Sequence, residues 1–190
     1  MARLAAYLGL LRRWSERLNL VGRATLADPW RRHILDSAQL LSLVPAGTKS
    51  LVDLGSGAGF PGLVLAILGV PGVELIEADS RKCAFLREAA RVAAAPVAIH
   101  PRRIEAVPAH AADVVTARGL APLDRLLPLA ERFLGSDTVC LFLKGERVAQ
   151  ELTAARRAWT MRASCHPSLS DPRGVVLRVS EIVREPRPQG

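Results

Sequence analysis

The sequence predicts an α/β fold: a parallel sheet joined by helical crossovers, closed by an antiparallel pair of strands and preceded by an N-terminal helical cap. Two observations predict the sheet. From Ser50 onward, short apolar runs alternate with segments of helical periodicity, and a glycine-rich turn joins the first run to the first helix of that series. A third predicts the cap, because the first 47 residues carry two helical patterns and no strand pattern.

In the cap, Leu4, Tyr7, Leu8, Leu11, Trp14 and Leu18 recur at helical spacing. Asp28-Pro29 forms an N-cap and first-turn pair. A second helix is then expected through Trp30, Ile34, Ser37, Leu40, Leu41 and Val44, ended by Pro45-Ala-Gly47. The sheet follows. Strands are expected at 50–54, 73–78, 97–100, 113–117 and 138–143, with helices at 61–68, 81–94, 123–134 and 147–159. Segments 161–165 and 175–179 read as the closing antiparallel pair, which makes seven strands. The expected organisation is a cap over 1–47, a core over 48–184 and a frayed tail over 185–190.

The segment Leu51-Val-Asp-Leu-Gly-Ser-Gly-Ala-Gly-Phe-Pro-Gly62 carries the most chemical information. An apolar strand ends in an acid, glycines alternate at 55, 57 and 59, and Pro61 opens a helix. Glycine lets the backbone turn sharply and lie against a ligand, and the helix start offers free N–H groups. Asp53 at the strand end can accept hydrogen bonds from a polar or cationic ligand. The pattern is that of S-adenosylmethionine sites. Gly57 to Gly62 also fits the nicotinamide pattern. The strict alternation from Gly55, Asp53 two residues earlier and Pro61 at the helix start favour S-adenosylmethionine.

Parallel sheets bind ligands at the carboxyl ends of their strands, so the residues there are candidates for one site. Strand 2 ends Glu74-Leu-Ile-Glu-Ala-Asp79; Glu77 suits the hydroxyls of a ribose, while Asp79 suits the cap of the next helix. After strand 3, Pro101-Arg-Arg-Ile-Glu105 reads either as an exposed basic loop or as a frame for adenine, with Ile104 on its face. Arg118 ends strand 4 and Lys144 ends strand 5, two cations on one rim. The Arg118 fork suits a carboxylate or a phosphate. His33 and Asp36 share a helix face, and a surface pair is the simpler reading of them.

Composition narrows the class. A hydrophobic content of 49% over 190 residues supports one sizeable core. Cys83, Cys140 and Cys165 form neither a disulfide framework nor a zinc pattern, so no metal is expected and a reducing cytoplasm is. Met1-Ala-Arg-Leu4 runs straight into an amphipathic pattern without signal-peptide organisation, and the apolar run Leu63–Leu68 is too short to span a bilayer. Net charge is +8, and residues 1–50 hold eight cations against three acids, which suits a phosphate-rich partner. Aromatic residues are too few for a stacking platform on single strands. No heptad marks an oligomer, and a monomer is expected.

With these residues in view, the chain resembles the RsmG (GidB) family of bacterial 16S rRNA guanine-N7 methyltransferases. The resemblance runs through Trp14…Asn19-Leu-Val21, Arg32-His-Ile-Leu-Asp-Ser37, Asp53 to Gly62, Glu77…Arg81-Lys82…Phe85-Leu86, Arg103-Ile-Glu105, Ala117-Arg118 and Leu143-Lys-Gly145. It implies a Rossmann-like seven-stranded sheet that binds S-adenosylmethionine. Gly55 and Phe60 would line the cofactor, with Asp53, Gly57 and Gly59 in the same turn. Glu77 would hold the ribose, Ile104 and Glu105 would frame the adenine, and Arg118 would complete the pocket. Asn19, Arg32, His33, Asp36 and Lys144 would face the RNA, with Arg118 and Lys144 as catalytic residues. The implied substrate is a guanine in the decoding region of 16S rRNA, within the 30S subunit or an assembly intermediate. Two departures stand out: Gly119 replaces an Ala common after the Arg, and the segment before Trp14 is shorter than usual, which puts part of the cap and some RNA contact in doubt.

Guanine N7 carries a lone pair and no proton, so the implied transfer needs no general base. Positioning and electrostatics would do the work, with Arg118 and Lys144 acting on O6, phosphate or the cofactor carboxylate and not on N7. A small-molecule methyltransferase, a non-catalytic RNA-binding protein and a nicotinamide oxidoreductase are the rival readings. The basic N-terminus argues against the first, and the intact glycines and acids against the second.

Overall fold

The structure is a computed structural model, and it describes residues 1–186. The tail expected to fray therefore lies, from residue 187, outside the described residues. Seven strands form one sheet in the order β3-β2-β1-β4-β5-β7-β6. They are β1 (Leu51–Leu54), β2 (Val73–Glu77), β3 (Val97–Pro101), β4 (Val114–Arg118), β5 (Val139–Lys144), β6 (Trp159–Pro167) and β7 (Val175–Arg184). The first five are parallel, and β7 runs antiparallel between β5 and β6. The helices are α1 (Ala2–Ser15), α2 (Asp36–Ala38), α3 (Gly62–Ile67), α4 (Ser80–Val92), α5 (Leu123–Ala130) and α6 (Val148–Ala155).

Alternation along each strand divides the apolar residues between two cores. Leu51, Leu75, Val114 and Leu141 face a layer containing α1, α3 and α4. Val52, Leu54, Val115 and Phe142 face the layer of α5 and α6. Strand β1 is buried on both faces, as a central parallel strand must be. The cap shares the first core: Leu4, Tyr7, Leu8 and Leu11, at i, i+3, i+4 and i+7, are all buried there. Arg3 also reaches across to donate to the carbonyls of Ala93 and Ala94, which close the C-terminal end of α4.

Two expected helices differ from the sequence reading. The pattern over 30–44 is not one α-helix but a π turn (Trp30–Leu35), the short α2 and a 3-10 turn (Gln39–Leu43). Side chains compete for its carbonyls: the Ser37 hydroxyl donates to His33 O, and Arg118 Nη1 donates to Arg32 O. The helix expected over 147–159 ends at Ala155, because Trp159 is buried as the first residue of β6 and pairs with Arg184. No helix among the described residues is long and apolar enough to cross a membrane.

Candidate functional site

Strand order reverses between β1 and β4: β2 and β3 lie to one side of β1, and β4 and β5 to the other. The crevice at their carboxyl ends is where such sheets bind ligands. Two cavities open there, of about 390 Å³ and 730 Å³, both in the size range of ligand pockets. Arg118 and Gly119, at the end of β4, line both.

The smaller cavity is built on the glycine turn. Gly57 adopts φ +56°, a left-handed conformation that favours glycine, and its N–H donates to Glu77 at 2.8 Å. The other Glu77 carboxylate oxygen accepts from Asp79 N at 2.8 Å. Glu77 is thus held at the end of β2 by two backbone donors, with lone pairs left for a ligand. Ile76, Ile104, Leu120 and Leu129 supply apolar wall, and Gly55, Glu105, Lys82, Arg102 and Arg103 also line the cavity. Asp79 caps α4 through Arg81 N and Lys82 N. A glycine turn, one held carboxylate and flat apolar walls fit an adenosyl group: its hydroxyls can donate to Glu77 and its base can lie against Ile104.

Six residues assigned to the cofactor come together here: Gly55, Gly57, Glu77, Ile104, Glu105 and Arg118. Three do not line the cavity, and their expected roles change. Asp53 does not offer its carboxylate outward. It is fully buried under the turn, accepting from the Thr116 hydroxyl at 2.7 Å and from Gly62 N at 3.3 Å. Burial, only partly offset by those hydrogen bonds and by Arg118, pushes its carboxyl up to about 6. Close packing makes Gly62 obligatory there: a Cβ would sit 2.6 Å from both Asp53 Cβ and Leu75 Cδ2. Gly59 faces Leu63 and the Tyr7 hydroxyl. The Phe60 ring is buried, stacked on His33 at 4.7 Å and beside Tyr7 at 5.4 Å, with the Arg118 guanidinium 4.7 Å from its centroid. It therefore shapes the site from behind. The Tyr7 hydroxyl donates to Ala58 O, tying α1 to the same turn.

The larger cavity lies on the other side of Arg118, between the cap, the end of β5 and the β6–β7 loop. Arg118 Nη1 donates to Arg32 O at 3.3 Å, His33 Nδ1 at 3.2 Å and Asp36 Oδ2 at 3.2 Å. These bonds, with the Phe60 contact, fix the guanidinium and leave its other N–H groups for ligands. His33 is buried, and burial together with Arg118 and Arg32 lowers its pKa to about 4. It is therefore neutral near pH 7. Because Nδ1 accepts from Arg118, Nε2 carries the proton and donates to Thr25 Oγ1 at 2.9 Å. His33 and Asp36 are not the surface pair the sequence suggested. The π turn directs both at Arg118, as wide turns at functional sites often do.

Of the residues assigned to the RNA side, Arg32, His33, Asp36 and Lys144 line this cavity. Asn19 is exposed and does not, although its neighbours Leu20, Val21 and Gly22 do. Lys144 is not a free rim cation: its side chain is 8% exposed and its Nζ lies 2.7 Å from Glu151 Oε2 and 2.7 Å from Ala121 O. Sequence reasoning missed the opposite wall. Asp171 pairs with Arg32, Ser170 donates to Asp36 Oδ1, and Gln39 bonds Ser168 and Leu169 N. The Arg32 guanidinium holds the Asp171 carboxyl below the usual carboxylate range. The only signal was Asp171-Pro-Arg-Gly174, a turn sequence between two predicted strands. No group of three or more His, Cys, Asp or Glu among the described residues could hold a metal ion.

Comparison with known proteins identifies the family and the fold. The sequence profile of the family described as rRNA small subunit methyltransferase G (GidB) matches residues 1–173. The ribosomal RNA small subunit methyltransferase G of Rhodospirillum centenum is 62% identical over 180 residues, covering 95% of this chain and 83% of its own. That of Rhodospirillum rubrum is 58% identical over 182 residues, covering 96% and 90%. Among solved structures, the ribosomal protein L11 methylase of Lactobacillus delbrueckii subsp. bulgaricus superposes with a TM-score of 0.62 at 19% identity, over 76% of this chain and 77% of its own. That likeness shows the fold alone, a Rossmann-like sheet, here of seven strands.

Proposed function

The chain belongs to the rRNA small subunit methyltransferase G (GidB) family, and from that premise we propose that it methylates N7 of a guanine in the decoding region of 16S rRNA. The observation that carries the reading is the pair of cavities divided only at Arg118 and Gly119. One has the lining of a cofactor site and the other has the polar lining a base and its phosphate need.

S-adenosylmethionine, when bound, supplies a methyl group made electrophilic by the neighbouring sulfonium. Residues that would hold it are Gly55 and Gly57 of the turn, Glu77 toward the ribose, and Ile104 and Glu105 at the adenine. The remaining work falls to the larger cavity. N7 has no proton to remove, and the neutral His33 removes none. It orients Arg118 by accepting from Nη1 and keeps a second cation away from N7, where positive charge develops. Asp36 balances Arg118. Free N–H groups of Arg118 can donate to O6, on the same base edge as N7, or to a phosphate. Holding the base in register with the cofactor is the main contribution to rate. The partner is the rRNA, in the 30S subunit or an assembly intermediate; the protein would act as a monomer in the cytoplasm.

The test uses tritiated S-adenosylmethionine, purified protein and small subunits from a strain lacking the endogenous enzyme. Borohydride and aniline cleave at N7-methylguanine, and reverse transcription locates the break. One cleavage in the decoding region is expected; no incorporation refutes the proposal. Arg118→Ala should fold, since Asp36 keeps Ser170 and Gln39 as partners. It should lose about a hundredfold or more in kcat, the scale of removing one preorganised donor. Full activity in that variant would remove Arg118 from the mechanism.

A further inference from the structure

The segment after β4 is the wall between the two cavities. Arg118 and Gly119 face both, and Leu120 faces the smaller one. Leu120 also leans on the glycine turn: a Cβ on Gly55 would meet its Cδ1 at 2.7 Å. What holds this segment in place is an ion pair from outside it. Lys144 Nζ, at the end of β5, donates to Ala121 O at 2.7 Å. Glu151, on α6, accepts from Leu123 N at 2.9 Å through Oε2, the same oxygen that meets Lys144 Nζ at 2.7 Å. One carboxylate and one ammonium thus satisfy a carbonyl before α5 and an orphan N–H at its start. Both are largely buried, with side chains 8% and 19% exposed, so each depends on the other.

We infer that Lys144 and Glu151 are positioning residues for methyl transfer: their ion pair fixes the 119–123 segment, and with it the spacing between cofactor and base. This rests on the proposed reaction and reassigns Lys144, two of whose three N–H groups go to Ala121 O and Glu151 Oε2. Glu151 lines neither cavity. An effect of Glu151 on turnover must therefore pass through Lys144 and the segment they hold. A shift of the order of 1 Å in such a wall lowers turnover steeply while leaving most binding contacts intact.

Three variants of the full chain test this: Lys144→Met, Glu151→Leu and the double variant. The single variants strand a buried charge and are expected to lower Tm. The double variant strands no charge and is expected to lose less Tm than either single variant, its remaining loss coming from the Leu123 N–H and the Ala121 carbonyl that the pair satisfied. The expected result is a kcat lowered about tenfold or more in Glu151→Leu and in the double variant, with KM for the RNA and Kd for S-adenosylmethionine within about threefold. Hydrogen exchange at the Leu123 amide, measured without cofactor or RNA, should quicken in both. Three results would overturn the inference. In one, Glu151→Leu keeps kcat while Lys144→Met loses it, which makes Lys144 a direct contact. In another, the double variant recovers wild-type kcat, which leaves only a folding role. In the third, Leu123 exchange is unchanged. If wild type fails to methylate rRNA, the proposed reaction fails instead, and the Leu123 exchange still decides whether the pair holds the segment.

Discussion

Replacing Asp53 with Asn gives a protein whose stability relative to wild type depends on pH in a calculable direction. In the folded chain the Asp53 carboxyl is raised from 3.8 to about 6, chiefly by burial. An acid raised on folding favours the folded state when protonated. Its contribution is fully present below the unfolded value of 3.8 and is lost as the pH rises through about 6. The full difference is about 3 kcal/mol at 1.36 kcal/mol per pKa unit, of which about 2 kcal/mol should be recovered on going from pH 7.5 to 4.5. Asn keeps the shape, and its amide can turn to accept from Gly62 N or from the Thr116 hydroxyl, but it does not titrate. The assay is urea unfolding of both proteins at pH 7.5, 6.5, 5.5 and 4.5, followed by tryptophan fluorescence. The stability gap should move toward wild type by about 2 kcal/mol as the pH falls. Other groups cancel because both proteins contain them. This includes His33, whose folded value near 4 gives the opposite sign: its contribution is present above 6.5 and lost as the pH falls through about 4. A gap that stays constant, or moves toward the variant, refutes the account of the buried carboxylate.

Two other perturbations probe the same floor and the opposite wall. Gly62→Ala pushes a methyl into Asp53 and Leu75 and should destabilise by about 1–3 kcal/mol, as overpacking does; an unchanged urea midpoint would mean that the turn moves freely. Asp171→Asn removes the partner of Arg32. It should free that guanidinium for one more phosphate, steepening the slope of log K against log salt for RNA binding by about 0.7. An unchanged slope would keep Arg32 out of the phosphate contacts.

Much of the cofactor side was legible in the sequence because it is local. The turn from Gly55 to Gly59 and the acid at the end of β2 follow from short spacings and from the rule that parallel sheets bind at their carboxyl ends. The five parallel strands fell within a residue or so of expectation for the same reason. Asp53 was misread because strand alternation turns it into the core, and the ladder sets it beside Thr116. Lys144 was misread because its partner Glu151 lies on the next helix, and only folding brings the two together. The wall of Ser168, Ser170 and Asp171 meets Gln39, Asp36 and Arg32 across well over a hundred residues of chain, a separation that no periodicity encodes. The π turn was hidden because its apolar spacing resembles that of an ordinary helix, whereas its cause is hydrogen bonds from Ser37 and from the distant Arg118.

The wall formed by Arg118 and Gly119 also constrains how this enzyme can change over evolutionary time. Arg118 and Gly119 line both cavities, so under the proposed reaction a substitution there would alter the seat of the methyl donor and the seat of the base together. Residues such as Thr25, Ser168, Ser170 and Asp171 line the larger cavity and not the smaller one, so on the proposed reading they can change base preference without touching the donor. They sit on a loop between the last two strands and on the N-terminal segment, both outside the parallel sheet that the cofactor requires. On that reading donor chemistry is anchored in the parallel sheet, and acceptor choice is left to its periphery.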